Sequence, residues 1–269
     1  MSSQQHRFRN IAGTPYNVTF DNAIVGVAVK NGPYNSTNTS YTDPAAGNNV
    51  NYYNKLLALG YRLGPTVDLD NHNSATMGKS SEGRTVVLAT SLSKAAINDA
   101  MLNMRFYATE DYNLNASFTV NSIYPMGSSI TQSTSPNFNV NVSDPDGDIS
   151  TSIRIWYGVP GSSVAPTILT SVTNVNALAY THTFATGTFY YYTEITQADG
   201  NKLWTSPIWY TKITSPLPIE LLSFTGKNIS NGNLLEWVTA TELNNDYFTL
   251  MRSRDGFNFE DLITVNGAG

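Results

Sequence analysis

The spacing of apolar residues changes near residue 111, and this change limits what the chain can fold into. Before it, "NAIVGVAV" (22–29) is a continuous apolar run, typical of a strand buried on both faces. "NVNYYNKLLALGY" (49–61) has apolar side chains at helical spacing and a glycine stop at Gly60. "RTVVLA" (84–89) predicts another strand, and "SKAAINDAMLNMRF" (93–106) predicts a helix. This alternation indicates βαβ units over residues 20–110.

From residue 111 onward, short alternating segments are separated by turn signals such as Asp199-Gly200. We therefore expect an antiparallel β-sandwich over 111–213 and a proline-containing linker over 214–218. Residues 219–269 predict a further β module, about half as long as a closed sandwich needs. Residues 1–19 are expected to be a disordered or incomplete segment. The predicted fold class is α/β plus all-β.

Composition excludes several classes of function. The formal charge of −5 and the pI near 5.1 argue against a nucleic-acid partner, which would need a basic face. The chain has no cysteine, so thiolate metal sites and disulfides are excluded. No apolar run approaches the roughly 18–20 residues that a membrane helix needs. The first residues of the sequence also lack the apolar region of a signal peptide.

The segment "GPTVDLDNHNSATMG" (64–78) places Asp70 and His72 two residues apart, just after a predicted strand. Carboxylate and imidazole are ligands for zinc, manganese or iron, and α/β barrels assemble their sites at the carboxyl ends of strands. A capped polar loop is the alternative. The chain has only three histidines, whereas hydrolytic metal centres usually take three or more protein ligands. The motif therefore predicts part of a centre.

Several motifs together resemble the C-terminal part of a metallohydrolase of the PHP superfamily (polymerase and histidinol phosphatase), in its CehA/McbA-like branch. These motifs are a helix ending in "LLALG" (56–60), "PTVDLDNH" (65–72), the strand beginning "RT" (84–85) and "RFYATED" (105–111). The resemblance covers residues 20–212. It implies the last strands of a distorted β/α barrel that binds zinc, manganese or iron and hydrolyses a small-molecule phosphoester or related ester.

Carried across residue by residue, the resemblance assigns Asp70 and His72 as metal ligands. Asp68 falls where the family has no regular ligand, so a polar residue at a strand end is the simpler interpretation. Arg84 and Arg105 are candidate anion contacts, with surface ion pairs as the alternative. The family's first H-x-H motif and its middle Glu and His ligands have no counterpart in this sequence. We therefore expect this chain alone to be inactive, and metal binding by this chain alone stays open.

Three further features carry weaker alternatives. "DPDGD" (144–148) superficially resembles a calcium loop but fails the EF-hand spacing, so a turn or an Asp-lined cation site remains open. The tyrosines of "FYYYTEI" (189–195) are suited to packing or to stacking on sugars. His6 is a candidate stray ligand, with a disordered terminus as the alternative.

The last 50 or so residues resemble the fibronectin-like module that precedes sorting domains in type IX secretion substrates. The matching stretches are "LPIELLSF" (217–224), "LLEWVTATELNNDYF" (234–248) and "RSRDGFNF" (252–259). The resemblance implies export to the bacterial cell surface or medium, with the secretion machinery as a partner and its signal beyond this sequence. The leading hypothesis is thus a fragment of a secreted hydrolase. The rival is a non-catalytic, surface-displayed β-module protein in which the barrel remnant is only a scaffold.

Overall fold

The computed structural model describes residues 16–31, 49–68, 83–147, 149–214, 221–240 and 245–267. The chain divides into two compact units, Met1–Ile213 and Thr214–Gly269. The described part is mostly β-strand and contains several antiparallel sheets, so the prediction of a β-rich chain is confirmed.

In the described part of the first unit, the helices are α1 (Val18–Ala23), α2 (Asn49–Leu59) and α3 (Lys94–Leu102). The strands of this unit are β1 (Gly26–Asn31), β2 (Gly64–Asp68), β3 (Arg84–Val87), β4 (Phe106–Thr109), β5 (Asn115–Val120), β6 (Tyr124–Pro125), β7 (Ser129–Gln132), β8 (Asn137–Ser143), β9 (Ser150–Gly158), β10 (Thr167–Thr173), β11 (Ala177–Thr181), β12 (Gly187–Gln197), β13 (Lys202–Thr205) and β14 (Ile208–Lys212). The second unit contains β15 (Leu221–Ile229), β16 (Gly232–Thr239), β17 (Tyr247–Ser253) and β18 (Phe259–Asn266).

Two sheets pack face to face in the first unit. The large sheet has the strand order β10-β9-β12-β13-β4-β3, with β14 also paired to β12 and β7 paired to β14. The small sheet has the order β11-β8-β5-β6. Between them lies an apolar core in which the ring of Phe138, from the small sheet, lies 4.4 Å from the ring of Tyr191, from the large sheet. The sandwich thus closes through aromatic contact across its inner faces.

Strand β12 is buried on both faces, because successive side chains of a strand point in opposite directions. Tyr191 and Ile195 enter the core of the sandwich, whereas Tyr190 and Tyr192 enter a second apolar core on the outer face of the large sheet. All three tyrosines are at most 1% exposed. They are therefore packing residues, and the alternative of sugar stacking is wrong for them.

The second core lies between the large sheet and the elements β1, α2 and β2. These three elements form the βαβ unit that the sequence predicted. Strands β1 and β2 are parallel, with Gly26 opposite Gly64 and Asn31 opposite Asp68. Helix α2 ends at Leu59, and Gly60 follows at φ +108°, a conformation that favours glycine. The ring of Tyr53 lies 5.7 Å from that of Tyr192, so the apolar side of α2 packs on the sandwich.

Residues 84–109 differ from the predicted parallel arrangement. Strands β3 and β4 are antiparallel to each other and extend the large sheet of the sandwich. Ser93 caps α3, but the helix ends at Leu102 rather than at the predicted Phe106, and Met104 adopts φ +52°. This short reversal returns the chain directly beside β3, with the Leu88 amide donating to the Arg105 carbonyl at 2.8 Å. The described residues therefore contain one parallel βαβ unit on a sandwich and no closed barrel.

The second unit consists of two antiparallel hairpins, β15–β16 and β17–β18. The ring of Trp237 contacts that of Phe248 at 5.7 Å and joins the two hairpins. A turn at Asp255-Gly256 connects β17 and β18, and the backbone amides of Asn258 and Phe257 donate to the Asp255 carboxylate there. These bonds hold the pKa of Asp255 well below its usual range. In the described part of the chain, no helix has the length and apolar character needed to cross a membrane.

His182 lies among aromatic rings in the first unit, and its Nδ1 lies 2.9 Å from the Tyr191 hydroxyl. Burial lowers its pKa, so between the folded and unfolded pKa values the unfolded chain binds more protons. We expect stability to fall as the pH falls from about 7.5 to about 5.5, and His182→Gln to reduce that slope. Urea unfolding at both pH values measures the free energy of unfolding of the wild type and the variant. An unchanged slope in the variant would contradict the assignment.

Candidate functional site

The carboxyl ends of β1 and β2 form the edge that corresponds to the predicted metal site. Asn31 and Asp68 are the last residues of the two strands and lie opposite each other. The Val67 amide donates to the Thr85 hydroxyl at 2.9 Å, so the end of β2 lies beside the start of β3. Asp68 and Gly83, the described residues on either side of 69–82, thus lie at one edge. Ligand sites of α/β units form at the carboxyl ends of their parallel strands.

This edge carries a group of charged residues, Lys30, Asp68, Arg84 and Glu110, which we term the strand-end cluster. The Lys30 ammonium lies 2.6 Å from Glu110 Oε1, although the two residues are 80 positions apart. The other carboxylate oxygen of Glu110 accepts the Lys202 amide at 3.0 Å. Glu110 therefore links the end of β1 to β13, and its carboxylate is already matched by a cation and a backbone donor.

Asp70 and His72, the predicted ligands, lie outside the described residues, as does His6. Their neighbour Asp68 is described and is the last residue of β2, as the sequence indicated. Among the described residues, no group of three or more His, Cys, Asp or Glu side chains is arranged to hold a metal ion. His182 lies beside the Tyr191 hydroxyl and packs among aromatic rings, so it does not reach this edge.

The structure separates the two arginines that the sequence grouped as anion contacts. Arg84 begins β3 in the strand-end cluster, and its Nη1 donates to the Gly83 carbonyl at 2.9 Å. Arg105 precedes β4 at the other end of the antiparallel pair, about 13 Å away along the strands. There it forms an ion pair with Asp99. Arg105 therefore fits the alternative of an ion pair, whereas Arg84 as an anion contact stays a prediction.

Arg105 also lines an open cleft of about 610 Å³ together with Arg62, Asp99 and Ser128. The Arg62 guanidinium lies over the Trp209 ring, 5.5 Å from its centroid. Both arginines of this cleft thus have partners, and the cleft lies away from the strand-end cluster. Sequence reasoning missed Lys30 and Glu110, because a pairing over 80 positions leaves no local pattern.

Comparisons with known proteins identify no family for this chain. No family model and no curated protein matches it. Among solved structures, a superoxide reductase (neelaredoxin) from Ignicoccus hospitalis aligns at 9% identity with a TM-score of 0.25, covering 37% of this chain and 83% of its own. The PmoD soluble domain from Methylocystis sp. ATCC 49242 (Rockwell) aligns at 12% identity with a TM-score of 0.25, covering 36% and 90%. Similarity this low carries no argument about function.

The strand-end cluster yields a test of which contacts hold the edge together. Lys30→Ala is expected to lower the free energy of unfolding by about 0.5 kcal/mol, because its ion pair is partly exposed. Glu110→Ala is expected to cost more, about 1–2 kcal/mol, because the Lys202 amide also loses its acceptor. Urea unfolding measures both. Two results would contradict this expectation: an equal loss of unfolding free energy in both variants, or a loss in Glu110→Ala that disappears in about 1 M salt. Either would show that only the exposed ion pair contributes to stability.

Proposed function

We propose that this chain is part of a secreted, metal-dependent hydrolase of the PHP type, which cleaves phosphoesters or related esters. The observation that supports this most directly is the position of the two residues that flank segment 69–82. Both residues that flank it, Asp68 and Gly83, lie at the carboxyl edge of the parallel β1–β2 pair. Asp70 and His72 follow Asp68 by two and four residues, and an extended chain covers at most about 14 Å over four residues. Since Asp68 ends β2 at this edge, the length of the intervening chain allows both residues to reach it.

The donor types at this edge suit a divalent ion of the zinc, manganese or iron class. Asp70 and His72 provide a carboxylate and an imidazole, which are ligand types that such ions take. Such an ion, when bound, supplies Lewis acidity and lowers the pKa of water. The formal charges of Lys30 and Arg84 equal those of Asp68 and Glu110 at this edge, so the bound ion itself would supply the positive charge that favours an anionic substrate. The residues of this chain would thus bind the ion and orient the ester.

The resemblance of residues 219–269 to a module of type IX secretion substrates supports export as the second element of this proposal. In the bacterium that produces it, the protein is then expected at the cell surface or in the medium. Loss of that location in cells lacking the secretion system would support the assignment. Retention inside wild-type cells would contradict it.

Metal titration of the purified chain tests the proposed site. Zinc or manganese is expected to bind through segment 69–82, and Asp70→Ala or His72→Ala should weaken binding by at least about tenfold, which is about 1.4 kcal/mol. Isothermal calorimetry measures the affinity. Asp199→Ala is the matched control, because this carboxylate lies in the β12–β13 turn and accepts hydrogen bonds from Asn201.

Melting temperatures of the three variants show whether each is folded. Binding below about a tenth of an equivalent, or binding unchanged in Asp70→Ala and His72→Ala, would contradict the metal site. That outcome would favour the rival function, a non-catalytic β-module in which the βαβ unit is only a scaffold.

A further inference from the structure

A second group of acidic residues lies at one end of the sandwich, at a different place from segment 69–82. The side-chain amide of Gln197, at the end of β12, connects two carboxylates from separate loops. Its Nε2 donates to Asp111 Oδ2 at 3.2 Å, in the β4–β5 loop, and to Asp144 Oδ2, in the β8–β9 loop. Asp146 lies one step further out, where its Oδ2 accepts from Asn113 Nδ2 at 3.0 Å.

Asp111 is buried, Asp144 is half-buried and Asp146 is exposed, and these carboxylates have no compensating charge among the described residues. Asp111 is only 6% exposed, and its Oδ1 accepts from the backbone amides of Asn113 at 2.8 Å and Leu114 at 3.2 Å. Asp144 accepts in the same way from the Asp146 amide at 2.8 Å. In the part of the chain that the structure describes, no lysine or arginine forms an ion pair with any of the three acids. Carboxylates that share one neutral donor repel each other unless a cation joins them.

Buried oxygen atoms next to these carboxylates lack partners. Gln197 is 1% exposed, and its Oε1 has no hydrogen-bond partner among the described residues. Ser150 is also 1% exposed, and its Oγ is without a partner in the same described set. Ser150 lies directly opposite Gln197 in the β9–β12 pairing, so the two side chains are neighbours on one face of the sheet. Buried polar atoms are almost always paired, which makes a shared absence at one place informative.

We propose that this end of the sandwich binds one calcium ion between the carboxylates of Asp111 and Asp144, with the amide oxygen of Gln197 as a third ligand. A half-turn of the Gln197 amide exchanges its oxygen and nitrogen, which places Oε1 where Nε2 now faces both carboxylates. Calcium takes six to eight oxygen ligands and accepts carboxylates, amides, hydroxyls and water. An all-oxygen set with no histidine favours calcium over zinc. The site is not an EF-hand, because its ligands come from three separate strand ends.

Calcium titration of the full chain, first stripped with EDTA, tests this proposal. We expect one ion per chain, with an affinity near the 10⁻⁴–10⁻³ M typical of extracellular modules, and a melting temperature raised by several degrees at about 10 mM calcium. Magnesium at the same concentration should produce a smaller shift, because it demands a tighter octahedral geometry. Absence of both binding heat and a melting shift in the wild-type chain would overturn the proposal.

Variants then locate the ion. Asp111→Asn and Asp144→Asn should abolish the calcium-dependent shift, whereas Asp199→Asn, an exposed carboxylate in the turn that follows Gln197, should retain it. Asp70→Ala should also retain it, which separates this site from the proposed hydrolytic centre. If one of the two site variants does not fold, the other variant and the wild-type titration decide the outcome. An equal calcium shift in Asp111→Asn, Asp144→Asn and wild type would overturn the assignment.

The metal-free state distinguishes a ligand from a merely structural residue. Without calcium, Asp144→Asn should melt at or above the wild-type temperature, because it removes one of two repelling charges. A carboxylate that only held the loop through its bonds to the Asp146 amide and Gln197 would instead leave the variant less stable with or without calcium. That result would contradict the proposal.

Discussion

The burial of β12 on both faces is the constraint on which the rest of the first unit depends. Its odd-numbered aromatic side chain Tyr191 joins the sandwich core, while Tyr190 and Tyr192 form the surface on which α2 packs. The Tyr192 hydroxyl also donates to Asn54 Oδ1 at 2.8 Å. One strand therefore belongs to two cores, and the βαβ unit and the sandwich form a single compact body. The apolar side of the βαβ unit needs no further barrel strands to be covered.

The same sheet separates the two candidate ion sites. Glu110 and Asp111 follow β4 as consecutive residues, yet Glu110 meets Lys30 on β1 and Asp111 meets Gln197 on β12. A calcium ion that ordered Asp111 would act one residue from Glu110 and hence from the edge where segment 69–82 begins.

The sequence allowed the strands of the sandwich, the turn at Asp199-Gly200 and the βαβ unit to be predicted, because alternation, continuous apolar runs and helical spacing are local patterns. It led to the wrong arrangement for β3 and β4, because a strand–helix–strand order is compatible with both parallel and antiparallel pairing. The reversal at Met104 decides between them, and its φ of +52° follows from the tertiary context rather than from the residue type.

The candidate sites show the same limit. Asp68 could be assigned to the end of a strand from the sequence alone, whereas the Lys30–Glu110 pair and the contacts of Gln197 join residues that are far apart in sequence. "DPDGD" was singled out by its composition, but only the fold brings Asp144 next to Asp111. Local pattern thus identifies the ligand types, and long-range packing decides which of them meet.

The tyrosines of β12 also determine how the protein responds to alkali. Burial raises the pKa of Tyr53, Tyr190, Tyr191 and Tyr192, so all four keep their protons while the fold persists. Above about pH 10 the unfolded chain binds fewer protons than the folded one, and stability falls with each of these phenols. Ultraviolet absorbance of phenolate would then rise in two stages, first from the accessible rings and later in one abrupt step as both aromatic cores open together.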